Sequence, residues 1–331
     1  MGAITREHVA KAAGVSKTTV TYVLRETPGT HISEATKARV LSAARALGYQ
    51  PDFAASSLVR GTTEIVGLLL PSQDRQFSRY YSQMIGGMIE AASETPYHFL
   101  YLAMDHPAKY ERCLRRGLLD GLIVLQSNVD DTHIARVKDW GKPAITVNYL
   151  NKAGLPAVSL DYEGGLELAY ERMAAASRRR VAFVCAHGNC QPNLRHLGLH
   201  ERLAKQHAGR TKFRHFFPEK SPSQRALLET LSEPGAYDGF VVDGFDLGRE
   251  LAFHLQALGR AFGADTDMVV FRVGTSYQPM PAGVVVLDAQ PERVGALAWT
   301  TMRELLDGRP IGERVRLVPY AEHKSEDAFN D

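Results

Sequence analysis

The sequence predicts a small all-α head followed by an α/β body of two doubly wound parallel-sheet lobes. Three observations carry this expectation. Residues 5–48 hold three short helical patterns with capping residues and no strand-like run. From residue 64 onward, apolar runs of strand length alternate with amphipathic helical stretches. The alternation starts afresh at AVSLDYEGG, so the body holds two such series with a cleft between them.

Composition narrows the class. A chain of 331 residues, 44% hydrophobic and 23% charged, has the make-up of a soluble globular protein of two or three domains. No apolar run is long enough to span a membrane. The first residues, MGAITREHVAKAAG, lack an apolar signal core, so a cytoplasmic address is expected. Arg6 stands where a myristoylation motif on Gly2 needs Ser or Thr. Cys113, Cys185 and Cys190 make no disulfide framework and are expected as thiols. Residues 1–61 carry eight Lys/Arg against four acids, a net +4, while the whole chain carries +2. A basic head on a near-neutral body suits a polyanionic partner, and equally fits a solvated basic face.

In the head, Thr5 caps a first helix bearing Val9, Ala10 and Ala13 on one face. Gly14 supplies the turn, and Ser16 caps a second helix whose stripe is Val20, Val23 and Leu24. Lys17, Thr18, Thr21 and Tyr22 point elsewhere. A braced helix with a small, polar, basic outer face fits a DNA major groove; the same pattern also describes an ordinary αα-hairpin. After the turn-rich RETPGTHI, Ser33 caps a third helix with Val40, Leu41, Ala44 and Leu47 inward and Gly48 as its stop. Pro51 blocks continuation, and residues 53–59 suit a short helix ended by Gly61, either a plain linker or a segment that folds on binding.

The strings VAKAAGVSKTTVTYVL, ISEATKARVLSAARALGYQPDFAASSLVRGTT and IVGLLLP resemble the lactose-repressor family of bacterial transcription regulators. The resemblance is strong over residues 4–70 and collinear to about residue 320. It implies a head at 1–49, a hinge helix and linker at 50–61, and an effector-binding and dimerisation body at 62–331. By it, Lys17, Thr18 and Tyr22 reach base edges, Ser16, Thr19 and Ser33 touch phosphates, and Leu58 with Ala55 enters the minor groove; Thr5 belongs to the same DNA-binding set. Such a wedge costs a few kcal/mol of unstacking, offset by the bent DNA it permits. Two copies and a pseudo-palindromic operator are implied, as a homodimer or a tetramer. Three positions depart from the pattern: Tyr22 for arginine, Arg25 for asparagine and Asp52 for asparagine. Tyrosine offers one hydroxyl and a ring where arginine offers a fork, so Tyr22 either reads a different base or packs on the head.

The body by this resemblance is like a periplasmic sugar-binding protein, with lobe 1 at 62–160 and 291–320, lobe 2 at 161–290 and 321–331, and three crossings. Ligands of such sheets gather at the carboxyl ends of the strands. The effector-binding candidates are Ser72, Gln73, Phe77, Tyr80 and Asn148 on one lobe, with Asp74 nearby. On the other they are His187, Arg195, Asp243, Arg272 and Asp288. Arg195, in QPNLRHLGL, matches the family's Arg-x-x-Gly for sugar hydroxyls, which guanidinium suits through its fixed fork of donors. The family's later Gly-Phe-Asp-Asp appears as Arg272-Val273-Gly274-Thr275, without its acids. That change makes the cleft more positive and motivates an anionic effector, such as a sugar acid or sugar phosphate. A nucleobase or other metabolite acting as corepressor is the alternative.

Other classes fare less well. Cys185, His187 and Cys190 could hold zinc, but no fourth ligand is evident, and no metal or cofactor is expected. No phosphate loop or nucleophile elbow argues for an enzyme, and Gly86-Gly87 reads as close helix packing. A pure solute-binding protein would have no use for the basic head. The final HKSEDAFND is short, polar and expected to be unstructured, with no heptad tail.

Overall fold

The fold comes from a computed structural model, which describes residues 4–24, 30–50, 57, 60–70, 79–125, 131–185, 191–209, 211–216, 224–273 and 278–324. Side chains at 131–132, 191–197, 224–225 and 324 are outside that description. The chain divides into two compact units, Met1–Thr63 and Glu64–Asp331.

The head is three helices: α1 (Arg6–Ala13), α2 (Lys17–Leu24) and α3 (Glu34–Ala46). Val9, Ala10, Ala13, Val20, Val23, Val40 and Ala44 form its core. Gly14 closes α1 at φ 64°, a left-handed conformation that a side chain would resist. Leu41, expected inward, is 39% exposed. It follows Val40 by one residue, which turns it about 100° off the buried stripe. The expected hinge helix falls mostly outside the described residues; Ser57 and Arg60 are helical, and the Gly61 amide donates to the Ser57 carbonyl (2.8 Å).

The body holds two six-stranded sheets. The first contains β1 (Ile65–Leu70), β2 (His98–Ala103), β3 (Gly121–Leu125), β4 (Ala144–Val147), β5 (Ala157–Leu160) and β11 (Val315–Val318). Its order is β11-β5-β4-β3-β1-β2, all parallel. The helices α4 (Arg79–Ala92), α5 (Pro107–Arg115), α6 (Asp131–Asp139) and α11 (Pro291–Leu306) accompany it. The second contains β6 (Arg180–Cys185), β7 (Lys212–Phe216), β8 (Gly239–Asp243), β9 (Asp267–Arg272), β10 (Val285–Asp288) and β12 (Ala321–Lys324), in the order β12-β10-β9-β8-β6-β7. Its helices are α7 (Tyr162–Ala175), α8 (Gln191–His207), α9 (Gln224–Ser232) and α10 (Phe245–Ala257). Strands β3, β4 and β8 are buried throughout, as parallel strands covered on both faces must be.

Three findings differ from the sequence pattern. AVSL opens the second series in sequence but pairs in the first sheet as β5. VRLV and AEHK, too short and too polar to read as strands, form β11 and β12, and β12 runs antiparallel to β10. His323 and Lys324, expected within an unstructured tail, therefore lie in a strand; residues 325–331 are outside the described set.

The first lobe closes on a helix pair. Val294, Ala298 and Met302 of α11 share one core with Met84, Ile85 and Met88 of α4. The two backbones nearly touch: a Cβ on Gly295 would lie 1.8 Å from the Met84 carbonyl oxygen, and one on Gly87 would lie 2.2 Å from that of Glu292. The Gly86-Gly87 expectation thus holds at Gly87, whereas Gly86 faces open space. In the second lobe the Tyr170 hydroxyl meets His200 Nδ1 (3.0 Å) and His215 Nε2 (3.3 Å), and Tyr170 stacks on Phe213. Burial pushes the His215 pKa down, against an opposing pull from Glu201.

Two outcomes follow. Gly295→Ala should force α4 and α11 apart and lower body stability by about 3 kcal/mol in denaturant unfolding. A His215 pKa lowered by folding means the native state binds fewer protons. Stability from this group is present above the ordinary histidine pKa and lost as pH falls through the folded one. The unfolding midpoint should therefore drop on acidification, less steeply in His215→Gln.

Candidate nucleic-acid interface and ligand cleft

The outer face of α2 is set by its caps and stripe. The Ser16 Oγ accepts from the Thr19 amide (3.0 Å) and pairs with the Thr19 hydroxyl (2.8 Å), fixing the first turn. Val20 and Val23 are buried on the opposite side. Lys17, Thr18 and Tyr22 are exposed together, Tyr22 by 41%. Ser33 caps α3 through the Thr36 amide (3.3 Å). The Thr5 amide donates to His8 Nδ1 (3.1 Å), so histidine completes the cap of α1. Sequence reasoning missed one partner: the Lys17 ammonium lies 2.8 Å from Glu7 Oε2 of α1. Lys17 holds the Glu7 carboxyl below the usual carboxylate range. Thr21, also expected outward, is turned to the Lys17 carbonyl (3.0 Å) and to Arg6 (3.4 Å). Ala55 and Leu58 lie outside the described residues.

In the body the two sheets meet through their carboxyl ends. The chain passes between them after β5, after β10 and after β11, each time at a strand's carboxyl end. Of the cleft candidates, Ser72, Gln73, Phe77 and His187 are outside the described residues, as is the side chain of Arg195, whose backbone lies near the start of α8. The remaining five are described, and all are engaged. Asn148, at φ 56°, donates from Nδ2 to the Tyr80 hydroxyl (2.7 Å) and accepts the Leu160 amide at Oδ1 (3.3 Å). Asp243 accepts the Tyr162 hydroxyl (2.9 Å), with the Cys185 thiol at 3.7 Å from the same oxygen. Arg272 is bonded to Asp288 at 2.5 Å, the pair being 12% and 10% exposed. The Arg272 Nε is buried and has no hydrogen-bond partner among the described residues.

The residue that joins these groups is one the sequence reading did not single out. Tyr320 follows β11 at the third crossing. Its ring packs edge-on to Phe271 (5.1 Å) and fills the space over Gly165, where a Cβ would come within 2.5 Å of it. Burial drives its phenol pKa well above the ordinary value, and Asp243, Tyr80, Asp161 and Asp288 add to that push. Charged and phenolic groups of both lobes thus act on one hydroxyl. The phenols of Tyr80 and Tyr162 are likewise raised, burial being the first cause. All three rings keep some solvent exposure while protein crowds the hydroxyls, as expected of a cleft lining. Each stays a protonated donor and acceptor at neutral pH. The only sequence signal for Tyr320 was the paired glycines of YEGG, which mark a close approach without naming the partner.

The ion pair that closes this cluster gives a direct test. Arg272→Ala leaves Asp288 buried without its cation and should cost about 3 kcal/mol in thermal or denaturant unfolding, more than Arg272→Ala/Asp288→Ala together.

Comparison with known proteins agrees with this geometry. Residues 6–52 match the sequence profile of the bacterial regulatory proteins of the lacI family. Over 322 residues the chain is 20% identical to the uncharacterized HTH-type transcriptional regulator YkvZ of Bacillus subtilis, spanning 93% of this chain and 95% of that one. The fold matches a crystal structure of the lac repressor dimer bound to operator and the anti-inducer ONPF, with a TM-score of 0.78, 18% identity and coverage of 98% and 99%. It also matches the transcriptional regulator CelR in complex with cellobiose, with a TM-score of 0.61, 20% identity and coverage of 97% and 99%. With a capped three-helix head and a body of two parallel-sheet lobes, the chain carries a lacI-family DNA-binding domain at residues 6–52 and is similar along its length to transcriptional regulators of that family.

Proposed function

We propose that the protein is a repressor that binds a pseudo-palindromic operator as a homodimer and is controlled by a carbohydrate-type effector held between the two lobes. The observation that carries the reading is the exposed Lys17, Thr18 and Tyr22 face of α2, backed by buried Val20 and Val23. A helix so placed can enter a major groove while its caps and neighbouring hydroxyls meet phosphates. Ser16, Thr19 and Ser33 are the phosphate-side residues in this reading, and Ala55 and Leu58 the minor-groove pair.

The effector is read from the cleft. Arg272 Nε is a buried donor with no described partner, beside phenols and carboxylates that each accept or donate. Such a lining suits a compact ligand with several hydroxyls, and cellobiose occupies a protein of like fold. The earlier argument for an anion weakens, because Arg272 spends its charge on Asp288. A neutral sugar is therefore the expected class. Effector binding favours one arrangement of the lobes, and operator affinity changes by the difference in its affinity for the two arrangements.

Operator binding should weaken steeply with salt, with a log–log slope that reports the phosphates neutralised. Operator release followed by fluorescence anisotropy, with thermal shift alongside, should identify the effector from panels of neutral sugars, sugar acids, sugar phosphates and nucleobases. Release by neutral sugars supports the reading. Activity confined to nucleobases would replace it with a corepressor-type regulator, and activity confined to sugar acids or phosphates would restore the charge argument.

A further inference from the structure

The first residue of the recognition helix is not alone on its face. Lys17 lies at the N-terminus of α2, where the helix field disfavours a cation and favours an anion. Glu7, in the first turn of α1, supplies that anion at 2.8 Å from the ammonium. Both side chains are exposed, 61% and 69%, so the pair stands on the outer surface of the head rather than within its core. An exposed carboxylate there works against simple phosphate binding, since it repels the backbone that the basic head attracts. As a unit, however, the pair presents a donor and an acceptor a hydrogen-bond length apart.

The major-groove edge of a G·C pair has the complementary pattern. Guanine offers O6 and N7 as acceptors, and cytosine offers the N4 amino group as a donor. The ammonium of Lys17 can give to guanine while the carboxylate of Glu7 takes from cytosine. An A·T pair at the same place offers adenine N6 as donor and thymine O4 as acceptor, flanked by the thymine methyl, which blocks a charged neighbour. Held by Glu7, Lys17 also has less freedom to turn to a phosphate, so its charge is directed toward a base.

We propose that Glu7 is a specificity-determining residue, and that the Glu7–Lys17 pair reads one G·C base pair in each half-site. This rests on the reading of α2 as the groove helix given above. Three further features agree with it. Thr21 is turned away to Lys17 and Arg6, so it does not crowd the pair. Ser16 and Thr19 are tied to each other at the same end of the helix. His8, the neighbour of Glu7, is occupied in the cap of α1.

The test is selection of a randomised duplex library by the full-length protein, the Glu7→Gln variant and the Lys17→Ala variant, with circular dichroism to confirm that each is folded. The wild type should enrich a symmetric sequence with G·C at one position per half-site. In Glu7→Gln that single position should relax, with A·T gaining ~10-fold or more, because the amide can meet adenine N6 and N7. Its binding to unselected DNA should also tighten as the repelling charge is lost, and the salt slope should steepen. Lys17→Ala should relax the same position. If the wild type enriches a sequence and Glu7→Gln enriches the same one with unchanged preference at every position, Glu7 is no reader and the proposal falls. If the wild type enriches nothing, the operator-binding reading falls and takes this inference with it.

Discussion

Two residues, Pro319 and Tyr320, separate a strand of one sheet from a strand of the other. That covalent constraint holds the carboxyl ends of both sheets near each other, where the candidate residues Asn148, Asp243, Arg272 and Asp288 gather. The chain reinforces it at the second crossing, where Gln290, at φ 46°, donates from Nε2 to the Pro319 carbonyl (2.8 Å). Tyr320 then drops its ring over Gly165 and against Phe271, and burial together with Asp243, Tyr80, Asp161 and Asp288 raises its phenol pKa. Backbone outliers at Asn148 and Gln290 flank the same region, as strained residues do where a site must be pre-shaped.

Each lobe is rigid for its own reason. The first depends on α4 and α11 meeting backbone to backbone at Gly87 and Gly295, so the helix that returns from the second lobe becomes part of the first core. The second depends on a nearly continuous apolar sheet with Phe183, Phe240 and Phe271 fully buried. Three short crossings join these two bodies, at the carboxyl ends of β5, β10 and β11. The head is the opposite case. Its core is seven small or branched residues, and its outer face carries caps and the exposed Glu7–Lys17 and Glu34–Lys37 ion pairs.

Much of this was legible in the sequence, and the exceptions have physical causes. Capping residues and stripes placed the three head helices, and long apolar runs placed the central strands, because both signals arise locally. The edge strands β11 and β12 were not legible. Val315 and Leu317 are 42% and 48% exposed, so no burial pattern marks them, and AEHK is polar because β12 lies at a sheet edge. The pairing of AVSL with the first sheet is a long-range choice that no local period encodes. Asn148, Asp243, Arg272 and Asp288 do lie at strand ends, as the pattern predicts, but their partners were not legible. Arg272 read as surplus charge until Asp288 stood beside it, and Asn148 read as a ligand group until both ends of its amide were found in use. Glu7 was invisible because its partner sits ten residues away on another helix.

The central claim is that the α2 face, presented twice by a symmetric pair of chains, reads operator DNA. Hydroxyl-radical and methylation footprinting of a selected operator by the full-length protein tests it most directly. The account predicts two equal protected half-sites related by two-fold symmetry, with guanine N7 shielded in the major groove of each. Protection of a single unpaired site, or backbone protection with every guanine N7 left open, would contradict it.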